Sequence, residues 1–409
     1  MKSQVNSIKS NILFCVFCLI AFGTAAYFLF VIDALLSGWI SLVVLLAAFI
    51  YFRFSRFWEK ILKGNLKWFK KLWIYILVVL ALGANNRLSK PDKNVSYKGT
   101  LIREMIREVR NMPVMAGDGM LSAGANLSSK GSNWQPPKGY TYEKINCGVP
   151  IELLRDTKST SNKLVFQIHG GAYVIGMIDS YRNLAVKYSK LTNGASVLNV
   201  DYRIAPEYEY PAALEDGLMA WDWIIKNGWN PKDVIIVGDS AGGNLTLALC
   251  HLLKDQGREL PGKIICMSPW ADLTAKGPSH VENLYKDPMF GIAIHSAKEI
   301  NKPKAPKAIS NSDSDSKPLT SLYAGNADLY DKYVSPVYGD FAGFPKMLIQ
   351  VGTWEVLQSD SQIIYEKAKS AGTDVILQEY EGMYHVFQQL QILPESKKAW
   401  KEIEKFCKD

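Results

Sequence analysis

The chain has 409 residues, which is enough for one large α/β domain with additional segments and a sizeable buried core. Its formal net charge of +8 would suit a nucleic-acid partner if the charge were spread along the chain. Most of the excess lies in residues 53–71, which hold seven Lys or Arg and one Glu, and the chain beyond residue 71 is close to neutral. The charge pattern therefore argues against a nucleic-acid-binding protein.

Two long apolar runs open the chain, at residues 12–32 and 34–52. Each is near the roughly 20 residues that a helix needs to cross a bilayer. A cleaved signal peptide would have a shorter apolar core and would not be followed at once by a second run. We therefore expect a helical membrane hairpin, with the N-terminus and the basic run 53–71 on the cytoplasmic side.

A third apolar run, residues 72–84, decides on which side of the membrane the rest of the chain lies. It is short for a span and suits an interfacial helix about equally well. Because two lysines precede it and no acid interrupts it, we expect it to span, which would make the remainder extracytoplasmic. Residues 1–90 thus form a predicted membrane region whose partner is the lipid bilayer.

Beyond this region, strand-like runs alternate with helical periodicity. An amphipathic helix is predicted over residues 101–109. Eight runs have the length and composition of strands: 140–147, 149–155, 164–168, 197–202, 234–237, 263–267, 347–351 and 375–380. Later helices are predicted through residues 221–225, from 241, around 363–368 and from 394, while residues 275–330 lose the rhythm. The alternation predicts an α/β fold with a mostly parallel sheet and helices on both faces.

Residues 238–242 read Gly-Asp-Ser-Ala-Gly and lie between a buried strand and a helix. In this G-x-S-x-G pattern the glycines allow a sharp strand-to-helix turn, because no side chain clashes there. Such a turn holds Ser240 in a strained conformation with its hydroxyl exposed. We therefore predict a nucleophile elbow rather than an ordinary glycine-rich turn.

Two consecutive glycines, Gly170 and Gly171, follow the strand predicted at 164–168. Backbone N–H groups in such a turn can point into a cavity and stabilise the oxyanion of a tetrahedral intermediate. Taken alone, the same pair of glycines fits a simple strand-ending turn equally well.

A nucleophilic serine needs a base, which is usually a histidine held by a carboxylate. Of the five histidines, His385 follows the last strand, at the carboxyl edge of the sheet where ligands bind in open α/β folds. We predict that His385 is the base. The acid should come from the loop after strand 347–351, where Glu355 lies nearer the strand end and Asp360 is the second candidate.

Together these motifs resemble the hormone-sensitive-lipase family of α/β-hydrolases, in its bacterial esterase branch. The resemblance covers residues 140–409 and rests on HGGA at 169–172, DYRIAPE at 201–207, PAALED at 211–216, GDSAGGN at 238–244, SPWADLT at 268–274, SPVYGD at 335–340 and EGMYHVF at 381–387. It implies an eight-stranded α/β-hydrolase fold with Ser240 as nucleophile and His385 as base. It also implies that the amides of Gly170, Gly171 and Ala241 form the oxyanion hole.

Two positions depart from the family's pattern. The acid position is Glu355 where many members have aspartate, so Asp360 stays open as the alternative acid. Ala172 stands at the fourth position of the HGGG-type motif.

The resemblance further implies a helical cap over the site. Its parts would be residues 91–139, which include a linker, and an insertion at 275–330.

The predicted function is that of a membrane-anchored serine carboxylesterase that hydrolyses esters of short to medium acyl chains through an acyl-enzyme. A deacetylase or amidase acting on arylacetamide-like or glycan substrates, and a lipase, stay open as alternatives. A non-catalytic ligand receptor on the same fold is less favoured, because such proteins typically lose the histidine kept here as His385. The six cysteines lack metal-ligand spacing, so we expect no metal and no other cofactor, while the oligomeric state stays open.

Overall fold

The computed structural model describes residues 94–110, 125, 128, 131–291 and 319–409. The predicted membrane segments 12–32, 34–52 and 72–84, and residues 292–318 of the predicted cap insertion, lie outside the described residues. Within the described ranges, no helix is long and apolar enough to span a bilayer.

The chain divides into two compact units: residues 1–93 with 100–109, and residues 94–99 with 110–409. The described part of the first unit, residues 100–109, is helical throughout, as the amphipathic pattern predicts. The helices of the described chain are α1 (Tyr97–Arg110), α2 (Asp179–Leu191), α3 (Ala212–Lys226), α4 (Ala241–Asp255), α5 (Ser279–Glu282), α6 (Leu319–Ala324), α7 (Gln358–Ser370) and α8 (Pro394–Lys408).

The larger unit is built on one eight-stranded sheet. Its strands are β1 (Tyr140–Asn146), β2 (Pro150–Asp156), β3 (Leu164–Ile168), β4 (Ser196–Val200), β5 (Val234–Asp239), β6 (Lys263–Met267), β7 (Lys346–Gly352) and β8 (Val375–Tyr380). They lie in the order β1-β2-β4-β3-β5-β6-β7-β8. Strand β2 is antiparallel to β1 and to β4, and all the other pairs are parallel. The predicted eight-stranded, mostly parallel α/β fold is confirmed.

The sheet is covered on both faces, because side chains alternate along each strand. In β3, Phe166 enters one apolar cluster with residues of α3, α4 and α7, whereas Val165 enters a second cluster with residues of α2 and α8. Every residue of β5 is buried, as the continuous apolar run predicts. Burial on both faces makes this central strand a rigid support for the loop that follows it.

Helix α2 is not among the helices predicted above, although the sequence of this segment carries a helical signal. Tyr181, Leu184, Ala185 and Tyr188 recur at helical spacing, and all four are buried against the sheet.

The predicted cap insertion, in its described part, contains only the short helices α5 and α6. The carboxyl ends of the parallel strands bring the loops after β3, β5, β6, β7 and β8 to one edge.

Candidate active site

Ser240 occupies the sharp turn between β5 and α4. Its backbone lies at φ 54° and ψ −120°, a conformation that L-residues rarely adopt. A Cβ added to Gly238 would lie 2.2 Å from the carbonyl oxygen of Gly242. A Cβ added to Gly242 would lie equally close, at 2.2 Å, to the carbonyl oxygen of Ile168. The turn therefore needs glycine at both positions, which is the physical basis of the G-x-S-x-G pattern.

Three side chains from three loops form a continuous hydrogen-bonded line. Ser240 Oγ lies 2.9 Å from His385 Nε2, and His385 Nδ1 lies 2.9 Å from Glu355 Oε2. All three residues are buried, Glu355 completely. The structure thus brings together the three residues that the sequence analysis selected, in the arrangement of a nucleophile, a base and an orienting acid.

Glu355 is held by more than the histidine. Its Oε1 accepts hydrogen bonds from Ser268 Oγ at 2.8 Å and from the Gly352 amide at 2.5 Å. Burial raises the pKa of this carboxyl above its ordinary value, while the bonds from His385, Gly352 and Ser268 oppose that rise. Ser268 Oγ also accepts a bond from the Val386 amide at 3.2 Å, so it links the acid to the loop that carries the histidine.

Asp360, the second candidate for the acid, has other partners. Its Oδ2 accepts bonds from the amides of Ala271 and Asp272, at 3.0 and 2.9 Å. Its Oδ1 lies 2.9 Å from His280 Nε2. The structure therefore brings Glu355, and not Asp360, to His385, while Asp360 ties the 271–280 segment to α7.

The glycine loop, residues 169–173, differs from the expectation at one position. The N–H of Gly170 donates to the hydroxyl of Tyr181 at 2.9 Å, so it is not free for a substrate oxygen. This bond contradicts the predicted role of Gly170 in the oxyanion hole. The next two amides, of Gly171 and Ala172, have no acceptor among the described residues, and Ala172 lines the cavity beside Ser240.

The amide of Ala241 is in a favourable place for the same task. Ala241 is the first residue of α4, and the first four N–H groups of a helix have no partner within the helix. This N–H has no acceptor in the part of the chain that the structure describes, and it lies next to Ser240 with the positive end of the helix dipole behind it. The predictions for Gly171 and Ala241 thus stay predictions, whereas that for Gly170 is corrected.

An apolar cavity adjoins the serine. Its described lining consists of Ala172, Ser240, Trp270, Phe290, Leu319 and Leu357. About 10 Å³ of the cavity is open to the centre of a water molecule, which is room for roughly one water. The Phe290 ring stands edge-on to the His385 ring with 4.7 Å between centroids. Apolar walls of this kind exclude water and favour a small hydrocarbon group next to Ser240 Oγ.

Backbone strain is concentrated here. Of the seven non-glycine residues with positive φ in the described chain, five border the site: Ala172, Tyr173, Ser240, Ser268 and Val386. Such conformations cost roughly 1–3 kcal/mol each and persist only where the surrounding structure holds them.

Among the described residues, no group of three or more His, Cys, Asp or Glu could hold a metal ion.

A sequence profile described as the alpha/beta hydrolase fold matches residues 165–389. The chain belongs to the α/β-hydrolase family. This hydrolase is 34% identical to an acetyl-hydrolase of Streptomyces hygroscopicus over 280 residues, which are 64% of this chain and 86% of the relative. It is also 34% identical to an esterase of Acinetobacter venetianus over 251 residues, 61% of this chain and 76% of the relative.

Solved structures agree with the sequence relatives. A crystal structure of an esterase from the bacterial hormone-sensitive lipase family is similar to this hydrolase with a TM-score of 0.63 and 30% identity. The match covers 76% of this chain and 97% of that chain. By these relationships the hydrolase is a carboxylic ester hydrolase of the serine type and resembles the hormone-sensitive-lipase family.

Two residues that bond to the site, Ser268 and Tyr181, are not among the predicted site residues. Ser268 opens the SPWADLT motif, so the motif itself was a signal that the position matters. Tyr181 lies in no such motif, and only the helical periodicity of α2 could have shown that its ring is buried. The partners of both hydroxyls depend on loops that meet only in the folded chain.

Proposed function

We propose that this hydrolase is a serine carboxylesterase that cleaves esters of short to medium acyl chains through an acyl-enzyme. The observation that carries the proposal is the line from Ser240 Oγ through His385 to Glu355, with 2.9 Å at each step. A serine hydroxyl at this distance from an imidazole can transfer its proton as it attacks. The strained turn at Ser240 keeps the hydroxyl in that position.

The reaction has two halves. In the first, Ser240 Oγ attacks the carbonyl carbon and His385 Nε2 accepts the hydroxyl proton; the bond to the alcohol oxygen then breaks as that oxygen takes the proton. In the second, water attacks the acyl-enzyme, His385 accepts a proton from the water and returns it to Ser240, and the carboxylic acid leaves. In both halves Glu355 accepts a hydrogen bond from the Nδ1–H of His385, which orients the ring and stabilises the imidazolium.

The oxyanion of each tetrahedral intermediate needs preorganised donors. We assign this task to the amides of Gly171, Ala172 and Ala241, which have no acceptor among the described residues. Their direction is maintained by the protein before substrate binds, so little reorganisation is needed when negative charge develops.

The cavity beside Ser240 limits the acyl group. The apolar side chains that line it, Trp270, Phe290, Leu319 and Leu357 among them, stand close to Ser240 and support a short acyl group. The similarity to an acetyl-hydrolase supports acetyl esters in particular. The same similarity supports a second candidate, a deacetylase that removes acetyl groups from larger substrates by the same steps.

The test is hydrolysis of p-nitrophenyl esters from acetate to palmitate by the full chain and by Ser240→Ala. We expect turnover that is highest on acetate to butyrate. Ser240→Ala should lower kcat by about 10⁴-fold or more, because the nucleophile is lost. A rate that peaks on palmitate would favour a lipase, and a lack of turnover by folded protein would contradict the proposal.

Membrane anchoring is a separate part of the proposal, supported by the apolar runs 12–32 and 34–52. If it is correct, the full chain stays with the membrane pellet after an alkaline carbonate wash of the producing cells. Recovery in the supernatant would contradict anchoring. If residues 72–84 also span, a membrane-impermeant amine reagent should label the hydrolase domain on intact cells or spheroplasts.

A further inference from the structure

A hydrogen-bonded cluster of the buried Tyr181 and Asp239 and the exposed Gln389 lies behind the glycine loop and joins three loops of the site. The hydroxyl of Tyr181 accepts a hydrogen bond from the N–H of Gly170 and donates one to Asp239 Oδ2. The distance from the hydroxyl oxygen is 2.9 Å to each partner atom. Gln389 Nε2 donates to the same Asp239 oxygen at 3.1 Å and lies 3.3 Å from the Tyr181 oxygen. One phenol thus bonds to a backbone amide, a carboxylate and a side-chain amide.

Each partner of Tyr181 adjoins a group that the proposed reaction needs. Asp239 directly precedes Ser240, and Gln389 is four residues beyond His385. Gly170 directly precedes the two free amides of the glycine loop. Tyr181 itself comes from the first turn of α2, an element that contributes no residue to the cavity lining.

The contact between these loops is tight. A Cβ added to Gly170 would lie 2.5 Å from Asp239 Oδ2 and 3.1 Å from the Tyr181 oxygen, so the backbone approaches both groups directly. Tyr181 and Asp239 are 6% and 4% exposed, so little bulk water can replace a lost partner. Burial raises the pKa of Tyr181 well above its ordinary value, so the phenol keeps its proton and donates it.

We propose that Tyr181 is a positioning residue, whose hydroxyl sets the direction of the Gly171 and Ala172 amides relative to Ser240. It does so by fixing Gly170 to Asp239 while Gln389 fixes the histidine loop to the same point. Without the hydroxyl, the Gly170 N–H loses its 2.9 Å acceptor and is left with the Asp239 carboxylate alone. The Gly170 peptide can then turn toward Asp239, and the following amides turn with it. The inference rests on the proposed function, because the amides matter through the oxyanion that they bind.

The experiment compares the full-length hydrolase with Tyr181→Phe and Tyr188→Phe. Tyr188 is a matched control: it lies on the same helix, is buried, and its hydroxyl has no hydrogen-bond partner among the described residues. The measurements are kcat and KM for p-nitrophenyl acetate, and the affinity for a trifluoromethyl ketone, which forms a tetrahedral adduct with an active serine. Circular dichroism and thermal unfolding verify the fold of each variant.

In Tyr181→Phe we expect kcat to fall about tenfold or more with KM within twofold, since donors to the oxyanion act on the transition state. Affinity for the ketone should fall by a similar factor, and Tyr188→Phe should match the native protein in both. A merely structural role would lower the unfolding temperature without this split. If folded Tyr181→Phe keeps native kcat and native ketone affinity, the inference is overturned.

Two further outcomes are distinguishable. If Tyr181→Phe does not fold, Gln389→Leu tests the same cluster, with a smaller loss of kcat at constant KM expected and an unchanged kcat overturning the inference. If the native protein neither hydrolyses the ester nor binds the ketone, the proposed function fails and the inference fails with it. Native turnover together with unaffected variants overturns the inference alone.

Discussion

Two buried carboxylates lie within six residues of each other after β7, and they have different partners. Glu355 bonds to His385, Ser268 and the Gly352 amide, whereas Asp360 bonds to His280 and two backbone amides. Both carboxyls are fully buried, and burial raises the pKa of each. At the scale of single residues, the hydrogen-bond partner and not the degree of burial favours Glu355 over Asp360 as the acid that orients His385.

Glu355→Gln should therefore lower mainly the activity, and Asp360→Asn mainly the stability. In Glu355→Gln we expect kcat to fall by about 10²–10⁴-fold, because an amide can donate to Nδ1 and favour the wrong tautomer of His385. In Asp360→Asn we expect kcat within about fivefold of the native value and a stability loss of roughly 1–3 kcal/mol, because its bond with His280 is weakened. Ester hydrolysis and urea unfolding measure the two effects. A larger loss of kcat in Asp360→Asn than in Glu355→Gln would contradict the assignment.

At the scale of elements, the short helix α6, which belongs to the predicted cap insertion, packs against the glycine loop. The Tyr323 ring stacks on the Tyr173 ring with 3.6 Å between centroids and 4° between planes. The Tyr323 carbonyl accepts a bond from the Tyr210 amide at 2.7 Å. These contacts hold Leu319, at the start of α6, in the wall of the cavity. A part of the predicted cap insertion thus shapes the space next to Ser240.

Leu319→Ala should widen the acyl site. Removal of the side chain from the cavity wall leaves room for additional methylene groups, each worth about 1–3 kcal/mol in discrimination between substrates. We expect the ratio of kcat/KM for p-nitrophenyl butyrate over acetate to rise about tenfold. Leu322→Ala, on the same helix but outside the cavity lining, is the control and should leave the ratio unchanged. Equal ratios in all three proteins would mean that this wall does not contact the acyl group.

At the scale of the whole molecule, the core contains a histidine that the site does not use. His251 lies on α4, is 1% exposed, and packs against the rings of Phe341 and Phe344 at 5.2 and 4.6 Å. Burial lowers the pKa of His251 from 6.5 to about 4. The folded chain therefore keeps this imidazole neutral at pH values where the unfolded chain protonates it.

This difference gives a pH dependence with a definite sign. Between pH 6.5 and 4 the unfolded state binds one proton more than the folded state, so stability falls as the pH falls. From pH 7.5 to pH 4.5 the loss due to His251 should be roughly 2–3 kcal/mol. Urea unfolding of His251→Phe at both pH values should show a smaller loss than the native chain by that amount. Parallel pH profiles for the two proteins would show that His251 is not responsible.

Much of the fold followed from local patterns in the sequence. The eight strands were recognisable because β-branched and apolar runs of strand length alternate with helical periodicity. The alternation of strands and helices also predicted helices on both faces of the sheet. The order of the strands, with β4 between β2 and β3, was not predicted and became known only from the structure. Helix α2 was overlooked, and the predicted membrane segments lie outside the described residues.

The sequence by itself was enough to predict Ser240 as the nucleophile and His385 as the base. A serine between glycines at a strand-to-helix turn has few other uses, and only five histidines compete for the role of base. Only the tertiary structure decided that Glu355, rather than Asp360, meets the histidine and that the Gly170 amide faces Tyr181 instead of the cavity. Whether two loops form a hydrogen bond depends on differences of a few tenths of an ångström in the distance between donor and acceptor. The spacing of residues along the chain does not encode such differences. The packing of the strands brings those loops together at one edge of the sheet, and this packing decides which side chains bond to each other.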